Sequence, residues 1–128
     1  MKRPFQFTGR VRSFKYAAQG LWLTLKTQHN AWIHAAATIL VITLGFVLGI
    51  SRIEWCLIVF ACMAVWTAET LNTALECLAD AITKEFDPLI GQAKDVAAGA
   101  VLLTAIAAVI VGVLVFGPYL HVLLFTSE

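Results

Sequence analysis

The sequence predicts an all-α membrane protein of one domain, residues 1–128, with an N-terminal amphipathic helix on the membrane surface and three transmembrane helices. Two observations lead to this prediction. Hydrophobic residues make up 60% of the chain and the mean hydropathy is +0.84, more apolar surface than a soluble domain of this length can bury. The apolar residues also fall into three long runs separated by short polar segments.

Each apolar run is long enough to cross a bilayer as a helix. The first, 31–50, contains no charged residue and reaches about 30 Å, one hydrocarbon thickness. The second, 53–83, continues without a helix breaker for about 42 Å, which predicts a cytoplasmic extension. The third, 88–122, starts directly after Asp87, an N-cap residue, with proline at its first position. We expect the Gly-Pro pair at 117–118 to interrupt this run.

The distribution of basic residues predicts the orientation. Six Lys or Arg and no acidic residue precede the first span, whereas the loop between the first two spans has only Arg52 as a basic residue. The positive-inside rule therefore places the N terminus in the cytoplasm and the C terminus outside. Segment 8–28 mixes the basic residues with apolar ones, and we expect it to lie along the cytoplasmic interface as an amphipathic helix.

The second span ends in a polar stripe on one helical face. Its members recur at i, i+3, i+7 and i+11: Glu69, Asn72, Glu76 and Asp80. Glu69 lies about 21 Å along the helix from Trp55, near the cytoplasmic edge of the hydrocarbon. Three carboxylates on one face repel one another, so we expect a divalent cation or a cationic partner beside them. Alternatively, these residues are interhelical hydrogen-bonding groups or the solvated end of a long helix.

Further charged residues are predicted to lie at the depth of the stripe. Lys94 and Asp95 begin the third span, and Lys84, Glu85 and Asp87 lie in the connecting loop. This set offers oxygen ligands for Mg²⁺, a lysine for phosphate and a carboxylate at lipid depth, as phosphoryl transfer requires. The chain has no GxxxxGKS/T motif and no Gly-rich phosphate loop, which excludes a soluble type of nucleotide-binding fold.

Two motifs, "ETLNTALECLAD" (69–80) and "AKDVAAGAVLL" (93–103), closely resemble the signature of the small bacterial diacylglycerol kinase and undecaprenol kinase family. The resemblance covers nearly the whole chain. It implies a homotrimeric lipid kinase of the bacterial inner membrane that transfers the γ-phosphate of ATP to the hydroxyl of diacylglycerol or undecaprenol, with Mg²⁺ as cofactor. The implied partners are ATP, the lipid alcohol, the bilayer and further copies of the chain, and no nucleic acid.

The resemblance also implies roles for individual residues. Glu69 matches the general base that takes the proton of the lipid hydroxyl, and Asn72 matches a residue that orients the reacting groups. Glu76 matches a ligand of Mg²⁺. Lys94 and Asp95 match the pair that contacts the nucleotide phosphates. Further nucleotide contacts are expected from Arg12, Tyr16, Glu85, Phe86 and Asp87.

One position departs from the family pattern. Gln28 stands where the family usually has a metal-binding glutamate, and its amide oxygen can ligate Mg²⁺ without supplying charge. We therefore expect a weak metal and nucleotide-site ligand at this position. Asn30 and His34 resemble the undecaprenol branch, and His34 is either a packing residue or part of a lipid-binding groove. Asp80 is expected to support the site.

Two other functions remain open at this point. A small cation-coupled transporter also uses a membrane carboxylate, but it places that group near the midplane between helices. A catalytically impaired family member that acts as a lipid-binding or assembly subunit is the second alternative. Only the amide at Gln28 favours it.

Overall fold

The computed structural model describes residues 7–125, with side chains described from residue 10, as four α-helices joined by short connections. The helices are α1 (Phe7–Thr27), α2 (His29–Leu48), α3 (Arg52–Ile82) and α4 (Pro88–Phe125). The last three are long and apolar enough to cross a membrane. The prediction of an all-helical chain with three candidate spans is therefore confirmed.

A tight turn joins α2 to α3 and caps both helices. Gly49 closes α2 with a φ of 62°, the left-handed region that favours glycine, and its N–H donates to the Gly45 carbonyl. Ser51 starts α3 with a capping box. Its Oγ accepts from the Glu54 N–H at 3.4 Å, and Glu54 Oε2 accepts from the Ser51 N–H at 2.7 Å. The short turn makes α2 and α3 antiparallel neighbours.

The start of α4 agrees with the sequence and its end does not. Asp87 Oδ1 accepts from the N–H groups of Leu89 and Ile90 at 2.8 and 3.1 Å, which is the predicted N-cap. The expected interruption at 117–118 is wrong, because α4 continues through Pro118 to Phe125. A proline in a helix removes one backbone hydrogen bond, and its ring crowds the carbonyl of the preceding turn. Membrane helices tolerate both effects.

The hydrophobic core lies at the end of the bundle that is far from the polar stripe. Its buried members are Ile50 and Ile58 together with Val115 and Phe116 of α4. At the same end Tyr119 Oη donates to Glu54 Oε2 at 2.7 Å. These contacts tie α4 to the start of α3, and the Lys94–Asp80 hydrogen bond ties α4 to the other end of α3, which α1 and α2 also contact.

Gly45 allows α2 to approach Trp55 of α3, and a side chain there is expected to destabilise the fold. A Cβ at Gly45 would lie 2.7 and 2.8 Å from two ring carbons of Trp55. We expect Gly45→Val to lower the free energy of unfolding by about 1–3 kcal/mol, the usual effect of overpacking. Thermal unfolding in detergent measures the change. The control is Gly99→Val, where a Cβ meets no atom within 4 Å, and equal midpoints for the two variants would contradict the prediction.

Candidate active site

The polar stripe of α3 is buried where it faces α1 and α2. Glu69 is 0% exposed and Asn72 is 6% exposed. On the opposite side of this interface, Gln28 Nε2 donates to Glu76 Oε2 at 2.7 Å, and His34 Nε2 lies 3.8 Å from Glu69 Oε2. Glu69 and Asn72 are therefore not the solvated end of a helix. They lie inside the bundle, where α1 passes into α2.

Glu76 is held by two amides. Its Oε2 accepts from Gln28 Nε2 at 2.7 Å, and its Oε1 accepts from Asn72 Nδ2 at 3.1 Å. Gln28 belongs to the junction between α1 and α2, whereas Asn72 lies one turn before Glu76 on α3. The predicted neighbours Gln28 and Glu76 are therefore in direct contact, with the amide as donor and the carboxylate as acceptor.

Glu69 has no comparable support. Both of its carboxylate oxygens are buried without a hydrogen-bond partner among residues 10–125, and so is Asn72 Oδ1. Burying a carboxylate without hydrogen bonds costs several kcal/mol. A substrate or ion that binds to these oxygens would offset this cost. The free oxygens of Glu69 and Asn72 point to a binding site between the helices.

The oxygen atoms of the site fit a hard divalent cation that takes only a few of its ligands from the protein and the others from substrate. Carboxylate and amide oxygens of Glu69, Asn72, Glu76 and Gln28 are of the type that Mg²⁺ prefers. Within the described part of the chain, no three His, Cys, Asp or Glu side chains come close enough to hold a metal by themselves. Mg²⁺ is commonly bound by one or two carboxylates together with substrate phosphates. The donor set agrees with that mode of binding.

A lysine from α4 extends the site beyond Glu76. Lys94 Nζ donates to Asp80 Oδ1 at 2.6 Å, which brings the start of α4 beside the last turn of the stripe. The contact places Lys94 beside the last residue of the stripe, and its depth in a membrane stays a prediction. Asp80 therefore has a partner in Lys94, and the Lys94 and Asp80 side chains are 38% and 67% exposed.

The other predicted residues form no hydrogen bond or ion pair with Glu69, Asn72 or Glu76 within the described part of the chain. Tyr16 and Phe86 are 62% and 91% exposed. The Asp87 carboxylate caps α4. Across residues 10–125, no hydrogen bond or ion pair joins the stripe to Arg12, Tyr16, Glu85 or Asp95. Their contacts with a nucleotide remain predictions.

Three features of the site have little signal in the sequence. Thr24 is 1% exposed and Ala31 is 0% exposed, although neither differs in type from residues on open faces. Thr24 precedes Gln28 by four residues, and this helical spacing is the one available sign that both face the same way. Trp66 Nε1 donates to Thr38 Oγ1 at 3.1 Å and links α3 to α2 one turn below Glu69.

Residues 15–116 match the sequence profile of the family described as prokaryotic diacylglycerol kinase. The chain belongs to this family. It is similar to undecaprenol kinase of Bacillus subtilis (strain 168), with 42% identity over 109 residues that cover 85% of this chain and 89% of the relative.

Two further relatives are similar over most of the chain. Diacylglycerol kinase of Synechocystis sp. is 43% identical over 101 residues, 78% of this chain and 58% of the relative. Diacylglycerol kinase of Escherichia coli (strain K12) is 34% identical over 111 residues, 81% of this chain and 85% of the relative. The predicted family and the prediction of a lipid kinase are confirmed, and the transporter is not favoured.

Proposed function

We propose that the protein transfers the γ-phosphate of ATP to the hydroxyl of a membrane lipid alcohol, with Glu69 as the general base. The observation that carries this proposal is the burial of Glu69 with neither oxygen hydrogen-bonded to any of residues 10–125. Glu69 lies about 26 Å along α3 from Arg52, close to one edge of a hydrocarbon layer about 30 Å thick. A carboxylate at that depth can meet a lipid hydroxyl, whereas a transporter would place its acid near the midplane.

In the proposed reaction the hydroxyl of the lipid gives its proton to the Glu69 carboxylate. The hydroxyl oxygen attacks the γ-phosphorus in line, and the new O–P bond forms as the bond to the bridging oxygen breaks and ADP leaves. Asn72 would orient the reacting groups through its free Oδ1. Lys94 would offset charge on the phosphates, because its ammonium has two donors beyond the one used by Asp80.

Mg²⁺ would be held by Glu76, with Gln28 as a weak further ligand. When bound it supplies charge neutralisation to the phosphates. The remaining nucleotide contacts proposed from the family resemblance are with Arg12, Tyr16, Glu85, Phe86, Asp87 and Asp95. Asp80 supports the site by positioning Lys94.

We also propose how the protein lies in the bacterial inner membrane. The N terminus and the 83–87 connection face the cytoplasm and the C terminus lies outside, since the basic residues concentrate before α2. α1 lies on the cytoplasmic surface, supported by its exposed Phe14 and Trp22 among basic residues. The active unit is a homotrimer, as the family resemblance implies.

ADP formation in detergent micelles tests the proposed function and its acceptor. We expect the purified protein with ATP and Mg²⁺ to release ADP only when a lipid with a free hydroxyl is added. We favour undecaprenol as the better acceptor because the Bacillus subtilis relative carries that name. Parallel reactions with undecaprenol, diacylglycerol and undecaprenyl methyl ether distinguish the acceptors. No ADP with either alcohol, or equal ADP without lipid, would overturn the proposal.

Gln28→Glu is expected to lower the Mg²⁺ concentration needed for half-maximal activity, because it adds a charged ligand beside Glu76. Without Mg²⁺ the variant places two carboxylates in contact and is expected to be less stable than the wild type. Mg²⁺ should therefore raise the thermal midpoint of the variant more than that of the wild type. Gln92→Glu, which adds the same charge at an exposed site on α4, is the control. An unchanged Mg²⁺ requirement would remove Gln28 from the metal site.

A further inference from the structure

His34 faces Glu69 across the interface of α2 and α3. Its Nε2 lies 3.8 Å from Glu69 Oε2, too far for a direct hydrogen bond. The two side chains are 14% and 1% exposed, and both atoms lack a hydrogen-bond partner among the described residues. A separation of 3.8 Å is short enough for one oxygen to lie about 2.8 Å from both atoms. The pair is therefore spaced to hold one hydroxyl group.

His34 also borders an apolar groove of about 610 Å³ between α2, α3 and α4. From His34 the groove follows α2 for about 15 Å to Leu44, and it ends against Phe116 and Leu120 of α4. The end at His34 is the end nearest Glu69, because α2 and α3 are antiparallel. The groove thus has the length for a hydrocarbon chain and a polar group at the end nearest the carboxylate.

The second polar side chain at this end, Thr38, is already satisfied. Its hydroxyl donates to the His34 carbonyl at 2.7 Å and accepts from Trp66 Nε1 at 3.1 Å. Cys62 also borders the groove, but a thiol is a weak donor and acceptor. His34 therefore borders the groove with a strong hydrogen-bonding atom, Nε2, that has no hydrogen-bond partner among residues 10–125. A molecule with one hydroxyl and a long apolar chain matches this arrangement.

We propose that His34 binds the acceptor hydroxyl and that the α2–α3–α4 groove holds the first part of the acceptor's hydrocarbon chain. The Nε2–H of His34 donates to the hydroxyl oxygen, while the hydroxyl donates to Glu69 Oε2. His34 keeps its own proton throughout, and the proton of the hydroxyl passes to Glu69 as the O–P bond forms. This inference rests on the proposed lipid kinase function and names the residue that recognises its acceptor.

Binding without ATP tests the role of His34. Displacement of a pyrene-labelled fatty alcohol is measured with a long-chain alcohol and with its deoxy analogue, in which hydrogen replaces the hydroxyl. We expect the wild type to prefer the alcohol by about 5- to 10-fold, the effect of one hydrogen bond. His34→Leu should lose this preference yet bind the deoxy analogue like the wild type, and His34→Gln, which retains an N–H donor, should recover part of it.

Kinetics give a second readout for the same variants. His34→Leu should raise KM for the lipid and leave KM for ATP unchanged, a difference that general destabilisation would not produce. If His34→Leu preferred the alcohol over the deoxy analogue as strongly as the wild type does, the proposal would be overturned. Failure of the kinase function itself is distinguishable, because it shows as absence of ADP formation by the wild type whatever the binding preference.

Gly112 provides a test of the groove. It borders the groove on α4, and a Cβ there meets no atom within 4 Å. We expect Gly112→Leu to weaken displacement by the long-chain alcohol and to leave displacement by a short-chain alcohol unchanged. Light scattering of the detergent-solubilised protein should show the wild-type oligomeric state. Unchanged lipid binding with an altered oligomeric state would overturn the proposal and assign the groove to a contact between copies of the chain.

Discussion

Replacing Glu69 with glutamine is expected to lower lipid phosphorylation by about 10²–10⁴-fold, because the amide cannot accept the proton of the hydroxyl. The same change removes a buried negative charge whose oxygens have no hydrogen-bond partner among the described residues. We therefore expect the thermal midpoint of Glu69→Gln to equal or exceed that of the wild type. Loss of activity without loss of stability would show that Glu69 serves catalysis and not the stability of the fold.

Glu54→Gln is the matched control, since it makes the same substitution on the same helix far from the site. Glu54 accepts hydrogen bonds from Tyr119 and from the Ser51 N–H. Its replacement should lower the thermal midpoint, because it weakens the cap of α3 and the contact with α4. Activity at a temperature where both variants are folded should remain near that of the wild type. The opposite pattern, with Glu69→Gln active and unstable, would make Glu69 a structural residue.

Replacing Lys94 with methionine is expected to reduce activity by about 100-fold or more, the usual effect of removing a group that stabilises developing charge. Methionine keeps much of the length of the side chain and removes the ammonium. Lys94→Met should also raise KM for ATP, whereas KM for the lipid should change little. Steady-state kinetics with each substrate varied in turn measure both values.

Two further variants show whether the effect belongs to the site. Lys84→Met removes the same charge from an exposed position in the connection between α3 and α4, and it should leave activity within about twofold of the wild type, as expected for an exposed surface change. Asp80→Asn removes the carboxylate that Lys94 contacts at 2.6 Å. Its effect should be smaller than that of Lys94→Met, because the ammonium remains. Equal losses for Lys84→Met and Lys94→Met would remove Lys94 from phosphate binding.

The sequence predicted those parts of the fold that depend on local patterns. Apolar runs of sufficient length located the three candidate spans, and Asp87 followed by proline located the start of α4. Helical spacing put Glu69, Asn72 and Glu76 on one face, and that face is the one directed at α1 and α2. Each of these features depends on residues that are close together along the chain, so the pattern of a single sequence predicts it.

Contacts between residues far apart in the sequence could not be predicted in the same way. The Tyr119–Glu54 hydrogen bond joins residues that no local spacing relates, and the same holds for Trp66 with Thr38. Pro118 was expected to break a helix, but the helix continues, since packing and the rest of α4 outweigh one lost hydrogen bond. The contact of Gln28 with Glu76 was expected through a shared metal. It is seen as a direct hydrogen bond between the two side chains.

The transfer of labelled phosphate to lipid tests whether the protein is a lipid kinase with Glu69 as its general base. Purified wild type and Glu69→Gln are incubated in micelles with ATP labelled at the γ-phosphate, Mg²⁺ and either undecaprenol or diacylglycerol, and the label in the extracted lipid is measured. We predict labelled lipid phosphate from the wild type and a loss of about 10²-fold or more from the variant, with ATP binding retained. No labelled lipid from the wild type, or equal labelling by Glu69→Gln, would contradict the account.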